Sequence, residues 1–521
     1  MLEIRLLSSS STCPAFNPLQ VLMLSHLLSY PPFGAQFYFL TQFFLYLALA
    51  LAFPICAAVL SSVTWYTPAS LELFFSVDSA NIARNTSSSK EFREQTIVDL
   101  LRRKVPSLFR PDAGFSSVSW LPNGHAQTIY TSVADLTKID IVQYERTLIR
   151  VPDGGTLALD MAPSLSSRPR QANEPVLLVT HGLTGGSHES YVRAALARLT
   201  NPPGLRFRAV VMNSRGCNQS PVTSPKLYHA GTTDDIRHTV LWIAHTFPGS
   251  PIYGLGFSLG ANALTKYAGE EGDACPLTAL ASVANVWDFV RGSHAIERGS
   301  LFNRLIYNNI LGGSLRALLL SHAHAFLSPS SSSPALTAAD IERLAEPRVL
   351  SLRQYDALVT CQLYGFASPD DYYARISSAH FLPRVRVPIL ALNAADDPIA
   401  GASAAPVREA LVSPWVVLGR TAGGGHLGWF ERGKSGGVER WYVRPVSEFL
   451  RALCEYDPAL RPRVVPTAER DTEGFVRQVG RADVGFREVD PAQVMEAAKG
   501  LLGWRAGPCA GGRSGADGPR G

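Results

Sequence analysis

The chain is poor in charge and in cysteine. Only 17% of its 521 residues are Asp, Glu, Lys or Arg, and none of these occurs between Arg5 and Glu72. The net charge of +5 is mild, and no dense Lys/Arg cluster with interleaved aromatics is present, which argues against a nucleic-acid partner. Seven cysteines (Cys13, Cys56, Cys217, Cys275, Cys361, Cys454 and Cys509) are scattered along the chain. They show no Cys-x-x-Cys or Cys/His ligand spacing, so neither a disulfide framework nor a metal site is expected. No cofactor motif and no internal repeat is apparent.

The charge-free N-terminus carries the longest apolar run. Phe37 to Phe53 continues through Pro54 to Val63, long enough to cross a bilayer core of ~30 Å, which takes ~20 residues. A cleaved signal peptide competes with this reading, but the run starts too far in and is too long for one. A buried hairpin is a third alternative. A single-pass anchor near the N-terminus is the expectation, with Tyr38, Trp65 and Tyr66 as interfacial residues. It implies a membrane as partner and the endoplasmic reticulum or a lipid droplet as location. Arg5 and Arg84 lie too far from the span to fix its orientation. The triplet Asn85-Thr86-Ser87 matches a glycosylation sequon.

The strongest chemical signal is Gly254-Leu255-Gly256-Phe257-Ser258-Leu259-Gly260. The apolar Pro251-Ile252-Tyr253 precedes it and the helix-forming Ala261-Asn262-Ala263-Leu264 follows. Strand, G-x-S-x-G and helix in succession make a nucleophile elbow. Such a turn forces Ser258 into strained backbone angles and demands small neighbours at 256 and 260. A serine hydroxyl is a weak nucleophile at neutral pH, so a base and an acid must follow.

Downstream, the β-rich Val387 to Leu392 runs into Asn393-Ala394-Ala395-Asp396-Asp397-Pro398-Ile399. A carboxylate at a strand's C-terminal end suits the acid. Asp396 and Asp397 compete for that role. The pattern Asn-x-x-Asp-x-Pro-Ile favours Asp396, with Asp397 capping the turn and Ile399 packing inward. The strand Trp415-Val416-Val417-Leu418 then leads to Gly423-Gly424-Gly425-His426-Leu427-Gly428. A histidine on a glycine loop late in the chain suits the general base, so Ser258, Asp396 and His426 form the expected triad. Upstream, Pro175 to Thr180 reads as a strand and His181-Gly182-Leu183-Thr184-Gly185-Gly186 as its loop. The backbone amides of Leu183 and Leu259 are the expected oxyanion donors, while His181 braces the loop.

The chain divides into an anchor and spacer (1–105), a catalytic domain (106–456) and a C-terminal extension (457–521). Leu148 to Asp160 reads as a hairpin with an Asp-Gly turn, and Ala209 to Asn213 and Leu280 to Asn285 as further strands. Apolar strands alternating with helices indicate an α/β fold with a mostly parallel sheet and helices on both faces. From about 286 to 381 no strand pattern appears, which suggests a helical cap insertion. It contains the low-complexity Ser328-Pro329-Ser330-Ser331-Ser332-Ser333-Pro334. Val464 to Trp504 reads as a small helical extension, and the tail after Gly507 as a Gly-rich disordered segment.

Together these motifs resemble the membrane-anchored α/β-hydrolase-domain (ABHD) lipases and the fungal medium-chain fatty acid ethyl ester synthase/esterases. The resemblance spans residues 105–456. Beyond the triad loops it includes Trp120-Leu121-Pro122-Asn123-Gly124-His125-Ala126-Gln127-Thr128, Asn213-Ser214-Arg215-Gly216-Cys217 and Asp370-Asp371-Tyr372-Tyr373. It implies a serine carboxylesterase or acylglycerol lipase with no cofactor. Its partners are an acyl ester or acyl donor and a water or alcohol acceptor, so ethyl ester synthesis through an acyl-serine is a second outcome. The alternative is a catalytically silent hydrolase-fold receptor or scaffold on a membrane. His229 to Asp234 also matches an H-x-x-x-x-D acyltransferase spacing, but Thr232, Thr233 and Asp234 at a helix start read better as caps. His125 with Gln127 likewise reads as a packed turn rather than a catalytic pair.

Overall fold

The computed structural model describes residues 70–82, 95–201, 206–327, 336–346, 348–433, 436–455, 465–490, 492 and 494. The expected anchor, the sequon, the serine-rich insert and the Gly-rich tail lie outside the described residues. Among the described residues no helix is long and apolar enough to cross a membrane.

Twelve strands form one sheet. In chain order they are β1 (Leu71–Phe74), β2 (Glu145–Arg150), β3 (Thr156–Ala162), β4 (Val176–Thr180), β5 (Arg208–Asn213) and β6 (Ile252–Phe257). There follow β7 (Leu277–Val283), β8 (Ile389–Ala394), β9 (Val416–Thr421), β10 (Ala468–Arg470), β11 (Val476–Gln478) and β12 (Arg481–Val489). Their spatial order is β1-β9-β8-β7-β6-β4-β5-β3-β2-β12-β11-β10. The run from β5 through β4, β6, β7 and β8 to β9 is parallel. The outer pairs are antiparallel.

The central strands are apolar on both sides because both faces are covered. Along β4, Leu177 and Val179 enter one core while Val176 and Leu178 enter the other. Helices α2 (Ser190–Thr200) and α7 (Val443–Cys454) cover the first face, with Val192, Leu196, Val446 and Phe449. Helices α3 (Asp234–Thr246) and α4 (Leu259–Glu271) cover the second, with Ile236, Val240, Leu264 and Tyr267. A short helix α1 (Gly124–Val133) precedes the first hairpin. Between β7 and β8 every described element is helical, including α5 (Phe289–Arg298) and α6 (Asn308–Ser321).

Two sequence expectations are corrected here. The segment after Val464 is a three-stranded meander, not a helical extension, and it joins the main sheet through β12 and β2. Gly474 and Gly480, at φ +82° and +79°, make its turns, and Val484 and Phe486 pack into the second core. At the other edge β1 pairs with β9 although it lies in the stretch assigned to the spacer. The sheet therefore crosses both expected boundaries, at 105 and at 456.

Candidate active site

Ser258 stands at the end of β6, where the chain turns abruptly into α4. Its φ of +52° and ψ of −121° are the strained angles of a nucleophile elbow. The flanking glycines are sterically required. A Cβ on Gly256 would sit 2.5 Å from the Ala261 Cα, and one on Gly260 would sit 2.4 Å from the His181 carbonyl oxygen. The Ser258 amide donates to the Val283 carbonyl on β7, which fixes the turn against the sheet.

Two loops bring partners to this serine. The loop after β9 turns through Gly424 (φ +138°) and Gly425 (φ +58°) and sets His426 Nε2 2.7 Å from Ser258 Oγ. The loop after β8 sets Asp397 Oδ2 2.8 Å from His426 Nδ1. The expected acid, Asp396, does not reach the imidazole. Its Oδ1 accepts the Gly425 amide at 2.9 Å, so it supports the loop that carries His426. Burial pushes the Asp396 carboxyl up to about 6, with the adjacent Asp397 charge adding to the push and the Gly425 amide opposing it.

The reason for this correction lies in Asp397 itself. Capping the turn and holding the imidazole are not alternatives for one residue, because a carboxylate has two oxygens. Oδ1 of Asp397 caps the turn by accepting the Ile399 and Ala400 amides at 2.8 and 2.9 Å, while Oδ2 faces His426.

The loop expected to carry an oxyanion donor follows β4. Gly182 donates its amide to Tyr191 Oη at 3.0 Å and Thr184 donates its own to Tyr228 Oη at 2.7 Å. The amide between them, on Leu183, has no acceptor among the described residues, and neither has that of Leu259. Both residues line the cavity that contains Ser258. A Cβ on Gly182 would lie 3.3 Å from the Ser258 Cβ, so a larger residue would press against the serine. His181 braces this loop. Its Nε2 accepts the Ser214 amide at 3.0 Å and its Nδ1 lies 2.7 Å from the Gly182 carbonyl, an arrangement that needs the neutral ring. Burial holds its pKa down at about 4.

A profile of the α/β hydrolase fold matches residues 175–432. A monoacylglycerol lipase of Saccharomyces cerevisiae is 34% identical over 396 residues, covering 69% of this chain and 85% of that protein. Phospholipase ABHD3 of Mus musculus is 31% identical, covering 65% of this chain and 78% of its own length. Medium-chain fatty acid ethyl ester synthase/esterase 2 of Saccharomyces cerevisiae is 27% identical, covering 70% and 92%. The chain belongs to the α/β-hydrolase family. Within that family it is of the lipase/esterase type, a serine carboxylic ester hydrolase rather than a silent scaffold.

Two supports of the hydrolase site escaped sequence reasoning. Thr128, on α1, accepts the His426 amide at 2.8 Å and donates to the Gly124 carbonyl. Asp160 collects Arg146, Ser187, Asn213 and Asn218 beneath the loop after β4. Thr128 and Asn213 fall within motifs of the family resemblance, which is the available signal. Gln127 proves structural, its amide bridging Leu121 and Phe430. His125 stacks on Tyr307 at 5.7 Å rather than pairing with Gln127.

The His229–Asp234 spacing builds no pair. Asp234, 74% exposed, faces Arg237, whereas His229 accepts the Gly231 amide among Tyr364, Phe366 and Tyr372. Burial takes the His229 pKa down to about 3. Thr233 occupies the N-cap of α3, yet its hydroxyl donates to Glu270 instead of capping the helix.

The cavity over Ser258 measures about 250 Å³. Phe289, Ile296, Leu311, Leu315 and Leu352 from the helical insertion give it an apolar wall. Among the described lining residues no Lys or Arg occurs. One buried carboxyl, Asp356, shares the wall and accepts the hydroxyls of Thr360 and Tyr373 at 2.7 Å each. Burial pushes it up to about 6. Among the described residues no cluster of His, Cys, Asp and Glu is arranged to hold a metal ion.

Proposed function

We propose that this hydrolase is a membrane-associated esterase and acylglycerol lipase acting on medium-chain acyl esters, with Ser258, His426 and Asp397 as its triad. The observation that carries the reading is the continuous relay from Asp397 Oδ2 through His426 to Ser258 Oγ, opening onto an apolar cavity. Ser258 Oγ attacks the acyl carbonyl as His426 Nε2 takes its proton, and Asp397 stabilises the resulting imidazolium. The Leu183 and Leu259 amides receive the developing oxyanion. Collapse of the tetrahedral intermediate breaks the ester C–O bond. The alcohol leaves with the proton from His426, and the acyl group stays on Ser258. Water, deprotonated by His426, then releases the acid. An alcohol in its place releases a new ester, so synthesis needs no second site.

The apolar cap wall favours an aliphatic acyl group. The monoacylglycerol lipase and ethyl ester synthase/esterase names of its relatives support glyceryl and medium-chain esters as the class. The charge-free run from Phe37 to Val63 supports membrane association through an N-terminal anchor preceding a catalytic body. Within that body the helical insertion acts as the cap. The reading is tested with a fluorophosphonate probe and by product analysis of octanoyl esters with and without ethanol. Wild type should label and release octanoate, with ethyl octanoate appearing when ethanol is present. Absence of Ser258-dependent labelling would sink it.

A further inference from the structure

The alcohol half of an ester must sit beside His426, because the leaving oxygen takes its proton from Nε2. Three polar residues line the Ser258 cavity on that side: Thr131 and Ser132 from α1, and Glu189 from the turn into α2. Thr131 and Ser132 follow Thr128, whose hydroxyl receives the His426 amide, by about one helical turn. Arg440 ties the other two segments together. Its Nε donates to the Leu427 carbonyl at 3.2 Å and its Nη2 to Ser190 Oγ at 2.9 Å. The chain neighbours of His426 and of Glu189 thus share one guanidinium. Among the described lining residues only Ser132 is exposed, so the cavity meets water at this end.

These side chains offer acceptors and no free donor. Thr131 Oγ1 donates its proton to the Gln127 carbonyl at 3.0 Å, and Ser132 Oγ donates to the Thr128 carbonyl at 3.3 Å. Only the lone pairs of both hydroxyls remain. The Glu189 carboxylate receives no hydrogen bond among the described residues. Its one ion-pair contact there is His188 Nε2, at 3.6 Å from Oε1. The side chain packs on the loop after β4, since a Cβ on Gly185 would lie 3.1 Å from the Glu189 Cγ. Burial pushes its carboxyl above the usual range, with His188, Arg440 and Arg193 opposing. A part-buried carboxylate short of donors is unfavourable until a ligand supplies them.

We propose that Glu189, with Thr131 and Ser132, forms the alcohol subsite and selects leaving alcohols that carry free hydroxyl donors, glycerol above ethanol. The proposal rests on the ester-hydrolase reading and names the residue that chooses the alcohol. The glyceryl half of a monoacylglycerol brings two hydroxyls beyond its ester oxygen, and a site of acceptors pairs with both. An ethyl group brings none and would leave Glu189 both covered and unpaired. A phosphate at this position would set its charge against Glu189, and no Lys or Arg among the described lining residues offsets it. In acyl transfer the acceptor enters where the first alcohol left. The same preference therefore governs which alcohol takes the acyl group from Ser258.

The test uses the full chain and two octanoates of nearly equal size: 1-octanoylglycerol and its di-O-methyl ether, which has no donor. Wild-type kcat/KM should favour the glyceryl ester about 30-fold, the range of a hydrogen bond to a charged group. Glu189→Gln keeps the shape without the charge and should reduce that preference to about fivefold, the range of a neutral hydrogen bond. Glu189→Ala should erase it. Fluorophosphonate labelling of Ser258 reports that each variant is folded. With p-nitrophenyl octanoate as donor, wild type should transfer the acyl group to glycerol ahead of ethanol at equal concentration. Glu189→Ala should lose that order. A wild type that turns over the glyceryl ester and its dimethyl ether equally would overturn the proposal without any variant. So would an equal loss on both esters in Glu189→Ala, because the carboxylate would then only support its loop. Absence of Ser258-dependent labelling in the wild type would instead remove the hydrolase reading beneath it.

Discussion

The two walls of the Ser258 cavity are built on opposite principles. On the sheet side, polar atoms are fixed by backbone. Asp397 uses both oxygens, His426 is held through its own amide by Thr128, and Ser258 is locked by its turn. On the cap side the wall is mainly Leu, Ile, Phe and Tyr from helices, with Asp356, Thr360 and Ser293 as polar exceptions. Chemistry needs atoms placed within a few tenths of an ångström, which strained turns and tight strand-end loops supply. Selecting an acyl chain needs only shape and low polarity, which packed helices supply. Bond cleavage and substrate choice in this hydrolase should therefore respond to mutation separately.

The sharpest way to break that separation is on the sheet side. Ser258→Ala should lower ester turnover by about 10⁵- to 10⁶-fold, as loss of a triad serine does, while leaving the affinity of the cap for a non-hydrolysable octanoyl ether unchanged. Steady-state kinetics and ligand titration together check it. Asp397→Asn should follow at about 10⁴-fold, because an amide cannot stabilise the imidazolium and favours the wrong tautomer. If Asp397→Asn retained most activity, the assignment of the acid to Asp397 would be lost.

The cap side should give a smaller effect of another kind. Leu315 lines the cavity and is buried against Leu227 and Leu319. Replacing it with Trp should fill part of the chamber and lower kcat/KM for decanoyl esters about tenfold relative to acetyl esters. Labelling by a small fluorophosphonate should continue at the wild-type rate. A uniform loss on both chain lengths would mean that the cap also positions the catalytic loops, and the two walls would no longer be independent.

The same contrast explains what could be read from the sequence. The elbow was legible because strain is written locally: Gly256 and Gly260 admit no Cβ, so the motif carries its own geometry. The glycines before His426 were legible for the same reason. Which of two adjacent carboxylates faces the imidazole was not, because it depends on the direction of one turn whose amides either residue could cap. Thr128 and Asp160 act across distances of hundreds and tens of residues, and no local pattern marks them. The C-terminal strands are hard to read because β10 is wholly exposed and β12 buries Val484, Gly485 and Phe486 in a row, so no alternation of burial shows.

Asp396 offers the finest test, because it sits on the sheet side without touching the imidazole. Its carboxyl accepts the Gly425 amide, and the side-chain oxygen of asparagine can do the same. Asp396→Asn should therefore change kcat by less than about threefold, in contrast to the neighbouring Asp397. Its signature should appear in stability. The folded pKa of about 6 lies above the unfolded value of 3.8. Between those values the folded state holds a proton that the unfolded chain releases. Stability is then fully present below about pH 4 and declines as pH rises to about 6, by about 2 kcal/mol after allowance for partial solvent screening. The asparagine variant has no proton to lose there, so its advantage over wild type should grow across that window and level off above it. Urea unfolding at pH 4 and pH 7 measures the difference. A variant that gains nothing between those two values would show that Asp396 is already ionised at low pH, and that the charge pair at 396 and 397 is tolerated by solvent rather than by burial.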